Sequence, residues 1–520
     1  MRMHPNRRGL IAGGAVLAAS FSSSANAEDV MARTRHGRVR GRRIDGVAVF
    51  KGVGYGADTR PLRFQPPAAP QPWRGVRNAF VYGPACPQRG ADEPTSEDCL
   101  FLNVWTPALQ CGARPVLVYF HGGAYATGSG SSPLYDGSNL CRRGDVVVVT
   151  VNHRLNVFGY GYFSLLGAPE AWADSGNVGQ LDLILALEWV RDNIGAFGGD
   201  PTNVTVFGQS GGGAKIATLM AMPAARGLFH RAWTMSGQQV TASGPQNATR
   251  RARAYLSALG VDEANVATLA RLPTERLVEA LAARDPVQER GSVYFGPTLD
   301  MRTLPRHPFY PDAAPQSRHI PMVLGNTLDE TRAFLRDDRF YSLTWDELPA
   351  ELGPQLVVDI EPHHVVERYR ELYPQMTPSE VFFAATTAGR SWRGQVIEAD
   401  ERAAVSAPTW VYQFNWRPPE GRLGAAHTID IAMVFANTAA PGAISGDGPE
   451  ARRLADFMSE RLIAFARTGE PNTGAAPDWP RYTLDTRATL VVDAQPGVQN
   501  DPRGAERRLF DAVPYVQPGT

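Results

Sequence analysis

Six short runs of β-branched and aromatic residues recur along the chain, and each is followed by a turn and a stretch with helical spacing. Strands that alternate with helices pack into a mostly parallel sheet with helices on both faces. The sequence therefore predicts an α/β fold. The predicted strands are Val116–Phe120, Val146–Val151, Val204–Phe207, Ala232–Met235, Met322–Leu324 and Trp410–Phe414.

Helical patterns fill the regions between these runs. Apolar residues from Leu181 to Ile194 follow a helical spacing, and a Gly-Gly-Asp-Pro sequence stops the pattern. Residues 245–290 and 345–400 carry more helical periodicity and charge than strand signals, which indicates insertions around one core. Because no internal repeat or long linker divides the chain, we expect residues 28–520 to form a single domain.

Residues 1–27 have the pattern of a secretory signal peptide. Three arginines precede an apolar run from Gly9 to Phe21, and small residues ending in Ala-Asn-Ala follow it. We therefore expect a periplasmic or secreted protein. The pair Arg7-Arg8 fits twin-arginine export and a general secretory signal equally well. No later apolar segment reaches the roughly 20 residues that span a bilayer, so no stable membrane insertion is expected.

Charge and the absence of metal-ligand patterns exclude further classes of partner and cofactor. The 52 basic and 52 acidic side chains cancel, which excludes a nucleic-acid partner held by general positive charge. No zinc, calcium or H-E-x-x-H pattern occurs, so neither a metal nor a cofactor is expected. Export would permit disulfides among the four cysteines. The spacing of Cys86 and Cys99 allows a closed ring, and whether Cys111 pairs with Cys141 stays open.

A glycine-rich turn follows the strand Val204–Phe207. It reads Gly-Gln-Ser-Gly-Gly from Gly208 to Gly212, and the next residues can continue as a helix. This strand-turn-helix context of G-x-S-x-G is the one that a nucleophile elbow requires, because small residues flank a tight turn that exposes the serine hydroxyl. The pattern predicts Ser210 as a nucleophile at a helix N-terminus.

A serine that attacks acyl groups also needs donors for the oxyanion. The strand Val116–Phe120 runs into His-Gly-Gly-Ala-Tyr, where small residues let backbone N–H groups face a carbonyl oxygen. We expect the N–H groups of Gly123, Ala124 and Gly211 to form this oxyanion hole.

The serine needs a base and an acid that orients the base, in the chain order serine, acid, histidine. His427 follows the last strong predicted strand and can reach the carboxyl edge of the sheet. Asp329 and Glu330 follow Met322–Leu324, and spacing does not choose between them. Lys215 lies too far from Ser210 for an S-x-x-K pair, so we expect a helix-surface residue or a buried structural ion. The other histidines that could compete as the base are His230, His307, His319, His363 and His364.

Together these residues resemble the type-B carboxylesterase/lipase family, which includes the cholinesterases and has the α/β-hydrolase fold. The resemblance covers nearly all of residues 28–520. Beyond the turns at His121 and Ser210 and the His427 loop, it rests on Arg63–Pro67, Pro72-Trp73, Gly83–Gln88, Ser96–Val104, Asn152–Arg154 and Phe197–Pro201.

The resemblance implies specific roles. Ser210 would be the nucleophile, His427 the base and Glu330 the acid of one catalytic domain, with the helical insertions walling a gorge above the serine. It also implies a Cys86–Cys99 disulfide and two ion pairs, Arg63 with Glu97 and Arg154 with Asp182.

The function expected from the resemblance is hydrolysis of small-molecule carboxylic esters through an acyl-enzyme on Ser210. Amides, carbamates and long-chain lipids are alternatives for the same triad, and a non-catalytic binding protein is a further one, although such relatives lose the serine or the histidine. Thr331 replaces the glycine that usually follows the acid. The Cys86–Cys99 loop lacks the tryptophan that stacks on choline in cholinesterases, so we do not expect a choline esterase. The oligomeric state stays open.

Overall fold

The computed structural model describes residues 28–109, 112–289 and 291–520. The predicted signal peptide and Cys111 lie outside these ranges. Within them, no helix combines the length and apolar character that crossing a membrane requires.

Thirteen strands of the described chain form one sheet. Its order is β1-β2-β3-β5-β7-β6-β8-β9-β10-β11-β12-β13, and β4 pairs with β2. The seven strands from β7 to β12 along this order are parallel neighbours. The strands are β1 (Glu28–Arg33), β2 (Arg38–Ile44), β3 (Val47–Gly54), β4 (Val76–Asn78), β5 (Phe101–Thr106), β6 (Arg114–Phe120), β7 (Val147–Val151), β8 (Gly199–Gln209), β9 (Arg231–Met235), β10 (Met322–Thr327), β11 (Thr409–Phe414), β12 (Ala488–Val492) and β13 (Gly497–Asn500).

All six predicted strands are confirmed, and all lie in the parallel part of the sheet. Side chains of β6 alternate between the two faces, so that Val118 packs in one core and Leu117 and Tyr119 pack in the other. Both faces are buried because helices cover both, which explains why these strands read as continuous apolar runs.

Helices cover the sheet and build the insertions. The helix predicted over Leu181–Ile194 is α3, and a third apolar cluster holds the later insertion together. The helices are α1 (Ser138–Gly144), α2 (Asn156–Tyr160), α3 (Val178–Asn193), α4 (Gly211–Leu219), α5 (Pro245–Leu259), α6 (Thr274–Ala280), α7 (Leu348–Leu352), α8 (Pro362–Leu372), α9 (Pro378–Thr387), α10 (Arg393–Ala404), α11 (Ile429–Val434), α12 (Pro449–Thr468) and α13 (Gly504–Phe510).

The strands that the sequence did not reveal lie towards the ends of the sheet. β2 reads Arg-Val-Arg-Gly-Arg-Arg-Ile and buries only one of its faces, so it lacks the apolar run of a central strand. β1, β2, β3 and β5 pair antiparallel in series and extend the parallel core on one side, while the short β4 is parallel to β2.

Both ion pairs implied by the resemblance are present and buried. Arg63 contacts Glu97 and also donates to the carbonyls of Leu269 and Leu272 at 2.8 Å. Arg154 donates to Asp182 through Nε at 2.9 Å and Nη2 at 2.6 Å. A buried pair of this kind leaves a costly unpaired charge if one partner is removed.

The cysteine prediction has a different outcome. Cys86 and Cys99 are both free thiols in this structure, so the expected disulfide is not formed in it. They are neighbours nonetheless, since a hydrogen bond that the Cys99 thiol donates to Cys86, together with burial, raises the pKa of Cys99. Cys141 is also a buried free thiol.

The carboxyl ends of the parallel strands bring the predicted site residues to one edge of the sheet. β6 ends before His121, β8 before Ser210 and β10 before Glu330, and the loop with His427 follows β11. Adjacent parallel strands end at the same edge, which is where ligands bind in sheets of this kind.

Candidate active site

Ser210 occupies a sharp turn between β8 and α4. Its φ of 57° and ψ of −126° lie outside the helical and strand regions, and its N–H donates to the carbonyl of Met235 at 2.7 Å. Strained backbone of this kind needs support from its surroundings and is concentrated at functional sites. The turn leaves the hydroxyl facing an open cleft.

Glycines on both sides of the serine permit a very close approach of two backbones. A Cβ on Gly212 would lie 1.9 Å from the carbonyl oxygen of Phe120, and one on Gly211 would lie 2.0 Å from that of Ala124. The elbow therefore packs directly on the loop that follows β6, and a side chain at either position would separate the two.

The loop after β6 presents unpaired N–H groups to the cleft. Gly123 and Ala124 have φ values of 83° and 53°, a left-handed conformation that turns the chain sharply. In the described ranges, no acceptor is bonded to the N–H of Gly123, Ala124 or Gly211. Three unpaired donors beside a serine hydroxyl suit an oxygen that gains negative charge.

Glu330 is buried directly after β10 and binds His427. Its Oε2 accepts from Nδ1 of His427, while Oε1 accepts from Ser236 Oγ at 2.5 Å, Asn326 Nδ2 at 3.0 Å and Thr327 N at 2.8 Å. Burial by itself would raise the pKa of this carboxyl, but the His427 charge and these hydrogen bonds together hold the pKa below its ordinary value. Glu330 is therefore an anion that fixes the imidazole.

The neighbouring carboxylate, Asp329, has other partners than His427. Asp329 binds Arg417 through both oxygens, at 2.8 and 3.0 Å, and accepts from the Ala425 N–H at 2.9 Å. It thus anchors the loop that carries His427. Thr331 turns its hydroxyl to Thr386 and Thr387 on α9, so its side chain leaves Glu330 undisturbed.

The second ring nitrogen of His427, Nε2, is hydrogen-bonded to a glutamine. Gln209 donates through Nε2 to His427 Nε2 at 3.1 Å, and between Ser210 and His427 the described side chains form no hydrogen bond. Both residues line the same cleft. For His427 to take the serine proton, its bond from Gln209 must be exchanged for one from Ser210, and such bonds often tighten only when substrate binds.

Three residues of this site were not found as site residues from the sequence. No sequence motif points to Ser236 or Gln209 as partners of the acid and the base. Folding brings Ser236 to Glu330 and Gln209 to His427. Lys215, which we expected on a helix surface or as a structural ion, is fully buried and contacts the loop after β6. Its position in the sequence gave no signal, because the acceptors are backbone carbonyls.

The cleft above Ser210 has a volume of about 130 Å³ and is open to solvent. Its walls combine small residues near the serine with Tyr125, Tyr294, Phe334 and Tyr515. Across the described ranges, no group of three or more His, Cys, Asp or Glu side chains is placed to hold a metal ion.

Comparison with known proteins gives consistent results. Residues 28–510 match the carboxylesterase family. The chain is 36% identical to the para-nitrobenzyl esterase of Bacillus subtilis, covering 92% of this chain and 98% of that protein. It is 33% identical to the phenmedipham hydrolase of Pseudarthrobacter oxydans, covering 89% and 94%. The crystal structure of the Geobacillus stearothermophilus carboxylesterase EST55 superposes with a TM-score of 0.81 at 37% identity, covering 92% and 99%.

The rate at which Ser210 is labelled should distinguish the roles of Glu330 and Asp329. We expect Glu330→Gln to slow fluorophosphonate labelling of Ser210 by about 10³- to 10⁴-fold, because an amide no longer holds the required imidazole tautomer. Asp329→Asn should slow labelling less than about tenfold and lower the free energy of unfolding by about 1–3 kcal/mol, since it weakens a loop anchor. Equal effects of the two changes would contradict these roles.

Proposed function

Because the chain belongs to the carboxylesterase family and is a serine carboxylesterase, we propose that Ser210, His427 and Glu330 are its catalytic triad. Gly123, Ala124 and Gly211 form its oxyanion hole. The assignment rests on one arrangement of these groups. Glu330 accepts a hydrogen bond from His427, and His427 lines the same cleft as Ser210. In the described ranges, the three N–H groups beside the serine have no acceptor.

The first half of the reaction forms the acyl-enzyme. His427 accepts the proton of Ser210 as the oxygen attacks the ester carbonyl carbon, and the carbonyl oxygen becomes an anion held by the three N–H groups. The protonated imidazole then gives its proton to the departing alcohol. Glu330 stabilises the imidazolium as a neighbouring anion and does not itself take up the proton.

The second half releases the acid. Water enters the place that the alcohol has left, and His427 removes a proton from it as its oxygen attacks the acyl carbon. The tetrahedral intermediate then collapses to the carboxylic acid, and the imidazolium returns its proton to the departing Ser210 oxygen. The second oxygen of Glu330 accepts hydrogen bonds from Ser236, Asn326 and the Thr327 N–H. Because these bonds persist in both halves of the reaction, the carboxylate need not rearrange.

Carboxylic esters are the substrate class in this proposal, with amides, carbamates and long-chain lipids as alternatives for the same triad. The catalytic groups do not distinguish them, because each reaction passes through a tetrahedral oxyanion. The size of the acyl and alcohol spaces decides between them.

A substrate panel tests the proposed function. We expect the chain from Glu28 onward to hydrolyse p-nitrophenyl esters within a series from acetate to palmitate. Ser210→Ala should lower kcat/KM by about 10⁴-fold, because it removes the attacking oxygen. Ser257→Ala, on an exposed helix position, is the matched control and should change nothing. Phenmedipham and an anilide belong in the same panel. If Ser210-dependent turnover is found for these alone, the proposed ester hydrolysis is wrong and the carbamate or amide alternative takes its place.

The location and the cysteine pair form a linked proposal. We infer that residues 1–27 direct export, which is supported by their signal-peptide pattern and by the family match that begins at residue 28. In an oxidising compartment the neighbouring thiols of Cys86 and Cys99 can lose two protons and two electrons to the local oxidant and form a disulfide. Residues 28–520 then act as one catalytic domain.

Thiol counting tests this linked proposal. Protein recovered from the periplasm or medium should take up at least two fewer maleimide groups after unfolding without reductant than protein expressed without residues 2–27, which should take up four because the chain has four cysteines. Cys86→Ser isolates the pair, because its exported form should take up one label more than the exported wild type, at Cys99. Four labels on the exported wild type would contradict the disulfide, and retention of the full-length chain in the cytoplasm would contradict export.

A further inference from the structure

The wall of the active-site cleft has an unusual charge distribution. Among the described residues that line it, Arg390 carries a permanent charge, and none contributes a carboxylate. Arg390 lies in a π-helical turn, Ala388–Trp392, directly before α10. A cleft with one cation and no anion in its walls favours a ligand that brings a negative charge.

Arg390 is close to the reacting groups. Its guanidinium carbon lies 4.9 Å from the centre of the Phe334 ring. The Phe334 ring also contacts His427, and the two ring centres are 4.8 Å apart. The cation and the catalytic imidazole are thus separated by a single phenyl ring, which is within the length of a small ester.

Unsatisfied hydroxyls lie beside this arginine. In the described part of the chain, Ser391 Oγ and the Tyr515 hydroxyl are buried without a hydrogen-bond partner, and both residues line the cleft. Tyr515 packs so closely on α10 that a Cβ on Gly394 would lie 2.6 Å from its hydroxyl oxygen. Burial and then the charge of Glu398 raise the pKa of the Tyr515 hydroxyl, and the charges of Arg393 and Arg390 oppose that rise.

We propose that Arg390, Ser391 and Tyr515 form a subsite for a carboxylate of the substrate, so that the preferred esters carry a free acid group about one phenyl ring away from the scissile bond. This inference rests on the proposed function. A carboxylate supplies the acceptors that both buried hydroxyls lack, and it pairs with the guanidinium in a geometry that a neutral ester cannot match.

Matched pairs of probes test the subsite. On the acyl side the pair is mono-p-nitrophenyl adipate and p-nitrophenyl hexanoate, and on the alcohol side it is 4-carboxyphenyl hexanoate and phenyl hexanoate. We expect Arg390→Gln to lower the charged-to-neutral ratio of kcat/KM by about 10- to 100-fold in at least one pair. Arg390→Lys should keep part of the ratio. Arg422→Gln, which removes an exposed arginine paired with Asp338, is the control and should leave both ratios unchanged.

The outcomes separate the subsite from the reaction. If Arg390→Gln leaves both ratios unchanged while the neutral probes are still turned over through Ser210, the subsite is wrong and the esterase stands. If no probe shows Ser210-dependent turnover by the wild type, the proposed function fails first.

A second observation concerns Lys215, on the second turn of α4. Its buried Nζ donates to the carbonyl of His121 at 3.1 Å and to that of Ala124 at 2.9 Å. These carbonyls flank the two peptides that supply the N–H groups of Gly123 and Ala124. The carbonyls of those two peptides are also held, by His121 Nδ1 at 2.8 Å and by the N–H of Thr127 at 3.0 Å. Since N–H and C=O point in opposite directions in a trans peptide, fixing the carbonyls aims the N–H groups.

Among the described residues that surround Lys215, none is a compensating anion. The titratable groups that face it are His121, His153 and Tyr125, whose ring centre is 5.5 Å from Nζ. Burial first, and then the Lys215 charge, lowers the pKa of both imidazoles, that of His121 to about 3, so both are neutral. Burial also lowers the pKa of Lys215 to about 7.

We infer that Lys215 is a positioning residue of the oxyanion hole, which fixes the loop from behind and adds a positive charge that favours the oxyanion. The charge is present below the pKa and is lost as the pH rises through it. A neutral amine keeps its N–H donors, so the loop stays in place while the electrostatic contribution disappears.

The two lysines of the chain provide the variant and its control. We expect Lys215→Met to lower the single-turnover acylation rate by about 10- to 100-fold with KM within about twofold, and to weaken a trifluoromethyl ketone inhibitor by the same factor. Lys51→Met, which removes a lysine that stacks on Tyr82, should change neither. Unchanged acylation and inhibitor affinity in folded Lys215→Met would overturn the role. If that variant does not fold, wild-type affinity for the ketone must weaken above about pH 7, and constant affinity up to pH 9 would overturn it equally.

Discussion

The active site depends on the contact between two backbones at the carboxyl edge of the sheet. Gly211 and Gly212 approach the carbonyls of Ala124 and Phe120 so closely that no side chain fits between them. The contact exists because β6 and β8 are adjacent parallel strands that end together. It sets the distance between the serine hydroxyl and the unpaired N–H groups.

Charge is arranged asymmetrically around that contact. On the His427 side, the buried Glu330 anion has four donors and favours an imidazolium. Behind the oxyanion loop lies Lys215, and among the described residues that surround it there is no carboxylate. The two sides match the charges that develop during acyl transfer, positive on the imidazole and negative on the carbonyl oxygen. Electrostatic preorganisation of this kind costs folding free energy, because buried ions lose their hydration.

The predictions that succeeded used local patterns. The buried parallel strands gave apolar runs, and G-x-S-x-G in a strand-turn-helix context located the elbow, because both signals depend on neighbouring residues only. Strands near the end of the sheet, such as β2, escaped, since one-sided burial and five polar or small residues out of seven hide the pattern. Ser236, Gln209 and Lys215 escaped because their partners lie 94, 218 and 94 positions away in the chain.

The sequence by itself determined the sheet's core, the nucleophile elbow and the family, because these follow from short-range periodicity and from motifs with a fixed spacing. The tertiary structure decided which of two adjacent carboxylates holds the imidazole. Asp329 and Glu330 are equivalent in the sequence, but the short helix that begins at Glu330 turns one towards His427 and leaves the other to Arg417 and the Ala425 N–H. It also decided that Lys215 is an internal cation, since burial and the acceptors of a side chain are set by segments that meet only after folding.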